Sequence, residues 1–140
     1  MPGGHVVLVV EDEEPNRALL RAVMARASDE RLSDVTLLEA PDLASARAIL
    51  ATNHVDLVLL DVRLPDGNGL SLIMDETGRQ ELPPPFVVLS ASVLPTERAA
   101  AMAMGAAGFM AKPYRPADLL EAVAELLGAH PADARPENAG

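Results

Sequence analysis

The chain has 140 residues, of which 49% are hydrophobic and 23% are charged, and this composition suits one domain with a sizeable core. Asp and Glu number 21 against 11 Lys and Arg, so the formal net charge is −10, and nucleic acid and anionic membrane surfaces are not expected partners of this domain. The absence of cysteine excludes disulfides, thiolate metal sites and a cysteine nucleophile.

The start of the chain predicts a protein of the cytoplasm. Its first apolar run follows no basic segment and is interrupted early by acidic residues, unlike a secretory signal. No stretch approaches the roughly 20 apolar residues that span a bilayer. His5, His54 and His130 stand alone, without the spacing of a metal-ligand pair.

Five short apolar runs alternate with amphipathic segments, and this alternation predicts five strands, each followed by a helix. The predicted strands are residues 6–10, 35–38, 55–60, 86–89 and 108–111. The first, third and fourth are continuous and rich in Val and Leu, typical of strands buried on both faces of a parallel sheet. Five such units with right-handed crossovers predict a doubly wound α/β domain.

The helix boundaries are predicted from prolines, glycines and one capping aspartate. They are a first helix near Pro15 with apolar spacing to Ala27, a second capped by Asp42, a third over residues 70–77 ending near Gly78, a fourth from Thr96 to Gly105 and a fifth from Pro116 to Gly128. Beyond residue 128 the apolar pattern stops and two prolines follow. We therefore expect a domain over residues 5–128 and a flexible tail or linker stub over residues 129–140.

Polar residues follow four of the predicted strands, at the edge of the sheet where open α/β domains bind ligands. They are Glu11 and Asp12 after the first strand, Asp61 after the third, Ser90 after the fourth and Lys112 after the fifth. Carboxylates brought together repel by about 1 kcal/mol per pair in water and about 4 kcal/mol at an effective dielectric of roughly 20. The cluster therefore favours a hard divalent ion such as Mg²⁺. No glycine-rich phosphate loop follows the first strand, so a nucleotide cofactor is not expected.

Each of these residues also has a purely structural interpretation. Alone, Asp61 could be a turn carboxylate, Ser90 a capping hydroxyl and Lys112 a solvated surface lysine. Their coincidence at the ends of successive strands favours one site.

Four segments carry a resemblance to a known family: VVLVVEDE, VDLVLLDVRLPDGNGL, VVLSAS and GAAGFMAKPY. In this order and spacing they resemble the receiver domain of two-component response regulators, especially the single-domain chemotaxis type, over about residues 5–128. The resemblance implies a flavodoxin-like (βα)₅ fold with strand order 2-1-3-4-5. It also implies a phosphoprotein of a phosphorelay that is not a conventional enzyme, with intrinsic autophosphorylation and autodephosphorylation.

The resemblance implies that Asp61 accepts a phosphoryl group from a sensor histidine kinase or a histidine phosphotransfer protein, forming an aspartyl phosphate. Mg²⁺ or Mn²⁺ would be held by Glu11, Asp12, Asp61 and the backbone carbonyl of Arg63. Lys112 would pair with a phosphoryl oxygen.

The remaining implied roles concern signalling. Ser90 would donate a hydrogen bond to the phosphoryl group, and Phe109 would turn inward as Ser90 moves. This would switch the surface of the fourth helix, fifth strand and fifth helix for binding an unknown downstream protein, as a monomer or a phosphorylation-dependent dimer. Arg63, Ala91 and Ser92 would modulate the site, and the bond before Pro113 is a candidate cis peptide.

Two alternatives remain open at this point. A Mg²⁺-dependent phosphohydrolase that forms an aspartyl phosphate would carry a second acid two residues after the nucleophile, where this chain has Arg63. A receiver-like binding module that has lost phosphotransfer would resemble this sequence if its site were inaccessible.

Overall fold

Five parallel strands form the central sheet of the protein, in a computed structural model that describes residues 4–91 and 94–129. They are β1 (His5–Val10), β2 (Val35–Ala40), β3 (Leu57–Asp61), β4 (Phe86–Ser90) and β5 (Gly108–Ala111). Their order across the sheet is β2-β1-β3-β4-β5. The predicted α/β fold and strand order are confirmed.

A helix follows each strand of the sheet. The helices are α1 (Glu14–Ala25), α2 (Leu43–Thr52), α3 (Leu70–Arg79), α4 (Pro95–Ala103) and α5 (Pro116–Ala129). The predicted cap of α2 is present, because the Asp42 side chain accepts a hydrogen bond from the backbone N–H of Ser45. Of the predicted tail, residues 130–140 lie outside the described residues.

The helix ends differ from the predicted ones by one or two residues. Helix α1 ends at Ala25, although the apolar spacing extends to Ala27. Gly78 and Gly128 both lie inside their helices, and neither has a φ in the left-handed region. Gly105, with φ of +107°, does follow the end of α4. A glycine ends a helix when its backbone adopts the left-handed conformation, and only Gly105 of these three does so.

Two short elements have no counterpart in the sequence prediction. A 3₁₀ turn spans Glu30–Leu32, and a two-stranded hairpin joins Arg63–Leu64 to Gly67–Asn68 in the loop after β3. Neither element contains more than one period of the hydrophobic pattern on which the prediction rests, so no repeat could reveal it.

Alternate side chains of the inner strands point to opposite faces of the sheet, and both faces are buried. On one face Leu8, Val58 and Phe86 pack with residues of α2, α3 and α4. On the other face Val7 and Leu57 pack with residues of α1 and α5. Each fully buried aliphatic or aromatic side chain contributes about 1.5–3 kcal/mol to stability. This two-sided burial fixes the strands and therefore the positions of the residues that follow them.

Candidate functional site

The register of the sheet brings the ends of four strands to one edge. Asp61 lies opposite Leu89, and Ser90 lies opposite Ala111. The side chains at this edge surround an open cleft of about 520 Å³. The predicted site residues that line the cleft are Glu11, Asp12, Asp61, Arg63, Ser90, Ala91 and Lys112.

Three carboxylates converge in the cleft. Glu11, Asp12 and Asp61 each offer an oxygen atom, and these atoms lie within 4.8 Å of one another. Glu11 is buried, Asp61 is partly buried and Asp12 is exposed, so the cluster opens to solvent at Asp12. All-oxygen donors of this kind suit a hard divalent cation that keeps some of its water.

Lys112 connects two of these carboxylates. Its Nζ atom donates hydrogen bonds to Glu11 Oε1 at 2.8 Å and to Asp61 Oδ2 at 3.3 Å. The ammonium group thus offsets part of the repulsion between the two carboxylates, which lie at the ends of the neighbouring strands β1 and β3.

The pKa values of Asp61, Glu11 and Lys112 are shifted by a balance between burial and their contacts with one another. Burial raises the pKa of the Asp61 carboxyl group, and the positive charge of Lys112 offsets this only in part. Burial also acts to raise the pKa of Glu11, but the hydrogen bonds from Lys112 and from the backbone N–H of Glu13 outweigh it and hold that pKa below its ordinary value. Burial acts to lower the pKa of Lys112, and its contacts with Glu11 and Asp61 raise it above the ordinary value.

Ser90 and Phe109 lie on adjacent strands and both contact the first turn of α4. Ser90 is buried, and its Oγ donates a hydrogen bond to Glu97 Oε1 at 2.9 Å. Phe109 is half-buried against the core, and the guanidinium carbon of Arg98 lies 5.9 Å from the centroid of its ring.

Two of the remaining predicted site residues, Arg63 and Ala91, also line the cleft. Arg63 is exposed, and its backbone N–H acts to lower the pKa of the Asp61 carboxyl group, against the larger effect of burial. Ala91 is exposed beside Ser90. The peptide bond between Lys112 and Pro113 is cis. Ser92 lies outside the described residues.

Three residues that shape the site were not predicted from the sequence. Asn16 lines the cleft and donates a hydrogen bond to Glu13. Glu97 contacts Ser90, although an acidic residue in a first helical turn carries no such signal in the sequence. A Cβ added to Gly69 would collide with the carbonyl oxygen of Asp61. The DGNG segment predicts a turn but does not identify Gly69 as the glycine that the backbone requires.

Among the described residues, no helix combines the length and the apolar character needed to cross a membrane.

The chain is similar to known proteins over most of its length. The sequence model of the response regulator receiver domain family matches residues 7–124. The chain is 33% identical to the KDP operon transcriptional regulatory protein KdpE of Escherichia coli over 131 residues, which cover 94% of this chain and 55% of that protein. The chain spans about half the length of the curated relatives that it matches.

Solved structures show the same fold. The BeF₃-activated N-terminal receiver domain of Klebsiella pneumoniae RstA superposes with a TM-score of 0.77 at 27% identity, covering 88% of this chain and 98% of that chain. The receiver domain of a Francisella response regulator superposes with a TM-score of 0.78 at 20% identity, covering 89% of this chain and 97% of that chain. The chain belongs to the response regulator receiver domain family of two-component signalling systems.

Proposed function

We propose that this receiver domain accepts a phosphoryl group on Asp61 from the phosphohistidine of a sensor histidine kinase or a histidine phosphotransfer protein. One observation carries the proposal: a partly buried Asp61 carboxylate shares an open cleft with two further carboxylates and with the Lys112 ammonium. A cation-binding group, a nucleophile and a cationic phosphoryl partner are the parts that phosphoryl transfer requires.

The donor set of the cleft fits the expected Mg²⁺ or Mn²⁺. The carboxylates of Glu11, Asp12 and Asp61 and the backbone carbonyl of Arg63 would hold the ion. When bound, the ion supplies charge neutralisation at the phosphoryl oxygens.

The protein's own groups carry the transfer. An oxygen of the Asp61 carboxylate forms a bond to phosphorus while the P–N bond of phosphohistidine breaks, and its electron pair stays on the imidazole nitrogen. Lys112, now held by Glu11 and Asp61, pairs with a phosphoryl oxygen as a compact positive charge. Ser90 donates a hydrogen bond to another phosphoryl oxygen.

The signalling step follows from the movement of Ser90. As Ser90 turns toward the phosphoryl group, Phe109 turns inward and changes the surface formed by α4, β5 and α5. This surface binds a downstream protein of unknown identity, either as a monomer or through a phosphorylation-dependent dimer. Arg63, Ala91 and Ser92 tune the lifetime of the phosphoryl group, which the domain itself removes by autodephosphorylation.

The predicted limits of the domain, residues 5–128 followed by a tail over residues 129–140, are part of this proposal, as is a location in the cytoplasm with the kinase. Helix α5 includes Ala129.

Mass spectrometry of the intact protein tests the proposal. After incubation with acetyl phosphate, we expect a gain of one phosphoryl group that requires Mg²⁺ and is lost in Asp61→Asn. Asp75→Asn is the matched control, because Asp75 is an exposed residue of α3 that pairs with Arg47, and this variant should be labelled like the wild type. The absence of any gain, with acetyl phosphate and with a phosphorylated phosphotransfer protein, would contradict the proposal and favour a domain that acts by binding alone.

A further inference from the structure

Two consecutive residues in the first turn of α4 contact the two residues of the proposed switch. Glu97 accepts a hydrogen bond from the Ser90 hydroxyl, and Arg98 lies over the ring of Phe109. We propose that Glu97 is a positioning residue, which holds the Ser90 hydroxyl in the unphosphorylated orientation and so opposes activation. This inference rests on the proposed role of Asp61 as the phosphoacceptor.

The chemistry of a hydroxyl group makes the two orientations compete. A serine side chain has a single O–H donor. In the structure this donor is directed to Glu97 Oε1 at 2.9 Å. To donate to a phosphoryl oxygen on Asp61, Ser90 must first release Glu97.

The hydrogen bond from Ser90 to Glu97 is charge-assisted. Its acceptor is a carboxylate, and hydrogen bonds to charged acceptors are roughly twice as strong as neutral ones. Ser90 is only 3% exposed, so water competes poorly for its hydroxyl. The hydrogen bond from Ser90 to Glu97 therefore shifts the equilibrium between the two Ser90 orientations away from the one that phosphorylation needs.

The same turn also acts on the second switch residue. The Arg98 guanidinium, at 5.9 Å from the Phe109 ring centroid, gains a cation–π contact in the present orientation of the ring. Glu97 and Arg98 thus place side-chain contacts from the first turn of α4 on both switch residues.

A simpler role for Glu97 must be distinguished from this one. An acidic side chain in the first turn stabilises a helix through the positive end of its dipole, with no need of Ser90. In that case the loss of Glu97 would weaken α4 to the same extent whether or not residue 90 carries a hydroxyl.

A double-mutant cycle on phosphoryl-analogue binding separates the two roles. The probe is beryllofluoride with Mg²⁺, titrated by NMR into the wild type, Glu97→Ala, Ser90→Ala and the double variant. We expect Glu97→Ala to bind beryllofluoride about tenfold more tightly than the wild type, the size set by one charge-assisted hydrogen bond. Glu97→Gln keeps an acceptor oxygen without the charge, and its affinity for beryllofluoride should lie between those of the wild type and Glu97→Ala. In the Ser90→Ala background, the substitution Glu97→Ala should leave the affinity for beryllofluoride unchanged.

Two results would overturn the role of Glu97: an unchanged affinity in Glu97→Ala, or the same gain in affinity with and without the Ser90 hydroxyl. A second measurement needs no phosphoryl analogue. The rotamer populations of Ser90, obtained from three-bond couplings, should shift in Glu97→Ala, and unchanged populations would also refute the inference. If the wild type binds no beryllofluoride and takes no phosphoryl group from acetyl phosphate, the proposed function fails, while the Ser90 couplings still decide the role of Glu97.

Discussion

Asp61 carries its negative charge in surroundings that favour the neutral form. Burial raises the pKa of its carboxyl group, and the neighbouring charge of Glu11 acts in the same direction, against the opposing charge of Lys112. A group with a raised pKa in the folded state binds its proton more tightly when folded than when unfolded. The ionised carboxylate therefore lowers the free energy of unfolding, as functional groups often do.

We expect Asp61→Asn to melt at a higher temperature than the wild type at neutral pH without divalent cations, because the amide removes the desolvated charge. The difference should be small below the ordinary aspartate pKa of about 3.9. It should grow as the pH rises toward the raised pKa of the folded state and remain constant above it. Thermal unfolding over this range measures the difference.

Asp66 provides a control, because its substitution should change the melting temperature in the opposite direction. Hydrogen bonds from the backbone N–H groups of Leu43 and Ala44 hold the pKa of the exposed Asp66 below its usual range. The Asp66 carboxylate therefore stabilises the fold above the ordinary aspartate pKa, and this contribution is lost as the pH falls through the lowered value. Asp66→Asn should melt below the wild type at neutral pH. A gain in Asp66→Asn, or no gain in Asp61→Asn, would contradict these assignments.

At the scale of elements, the junction between β3 and α3 is a close backbone contact. The N–H of Gly69, at the start of α3, donates a hydrogen bond to the carbonyl oxygen of Val62 at 2.6 Å. The Cβ of any other residue at Gly69 would meet the Asp61 carbonyl oxygen and lie 3.2 Å from Leu60 Cδ1. Because these are backbone and core atoms, the strand end that carries Asp61 would have to move.

Gly69→Ala should therefore lower the free energy of unfolding by about 1–3 kcal/mol, the usual range for overpacking, and should weaken phosphoryl-group acceptance by Asp61. Gly78→Ala, near the end of α3, is the matched control because open space surrounds the position of its Cβ. Alanine there should be neutral or stabilise the protein by up to about 1 kcal/mol, since alanine favours a helix more than glycine does. Urea unfolding of both variants measures these changes, and equal effects would refute the steric argument.

The inner strands were predictable because their apolar sequences are compatible with only one kind of environment. Continuous apolar runs rich in Val and Leu, such as residues 6–10 and 57–60, must be buried on both faces, which a parallel sheet between helices provides. The hairpin Arg63–Leu64 with Gly67–Asn68 was not predictable, since its ladder pairs two residues with two. Glycine near a helix end was an uncertain signal, because Gly128 remains helical while Gly105 adopts positive φ. Which conformation a glycine adopts depends on the packing around it.

Some residues of the site could likewise be predicted from the sequence, and others could not. That Asp61 and Lys112 share an edge follows from strand ends alone, once the sheet is known to be parallel. The contact between Ser90 and Glu97 depends on how α4 is placed after the loop, and neither residue type specifies it. The sequence therefore predicted which groups meet in the cleft but not the partner that Ser90 holds.

At the scale of the whole molecule, the fold concentrates acidic groups that the chain keeps apart. Asp12 and Asp61 come from different strand ends, yet both reach the same cluster, in a chain with a net charge of −10. Their mutual repulsion acts against the folded state, because the unfolded chain separates these charges. A bound divalent cation removes this repulsion, and a ligand that binds only the folded state stabilises it.

Mg²⁺ at ten times its dissociation constant should therefore raise the free energy of unfolding by roughly 1.4 kcal/mol. Asp12→Ala should lose most of this increase, because Asp12 supplies one of the three carboxylates. Glu81→Ala, which removes an exposed acid in the segment leading into β4, should keep the full increase. Urea unfolding with MgCl₂, against NaCl at equal ionic strength, separates site binding from general screening of the acidic surface. An equal increase over the NaCl reference in Asp12→Ala and in the wild type would show that the ion binds elsewhere, because that reference already accounts for general screening.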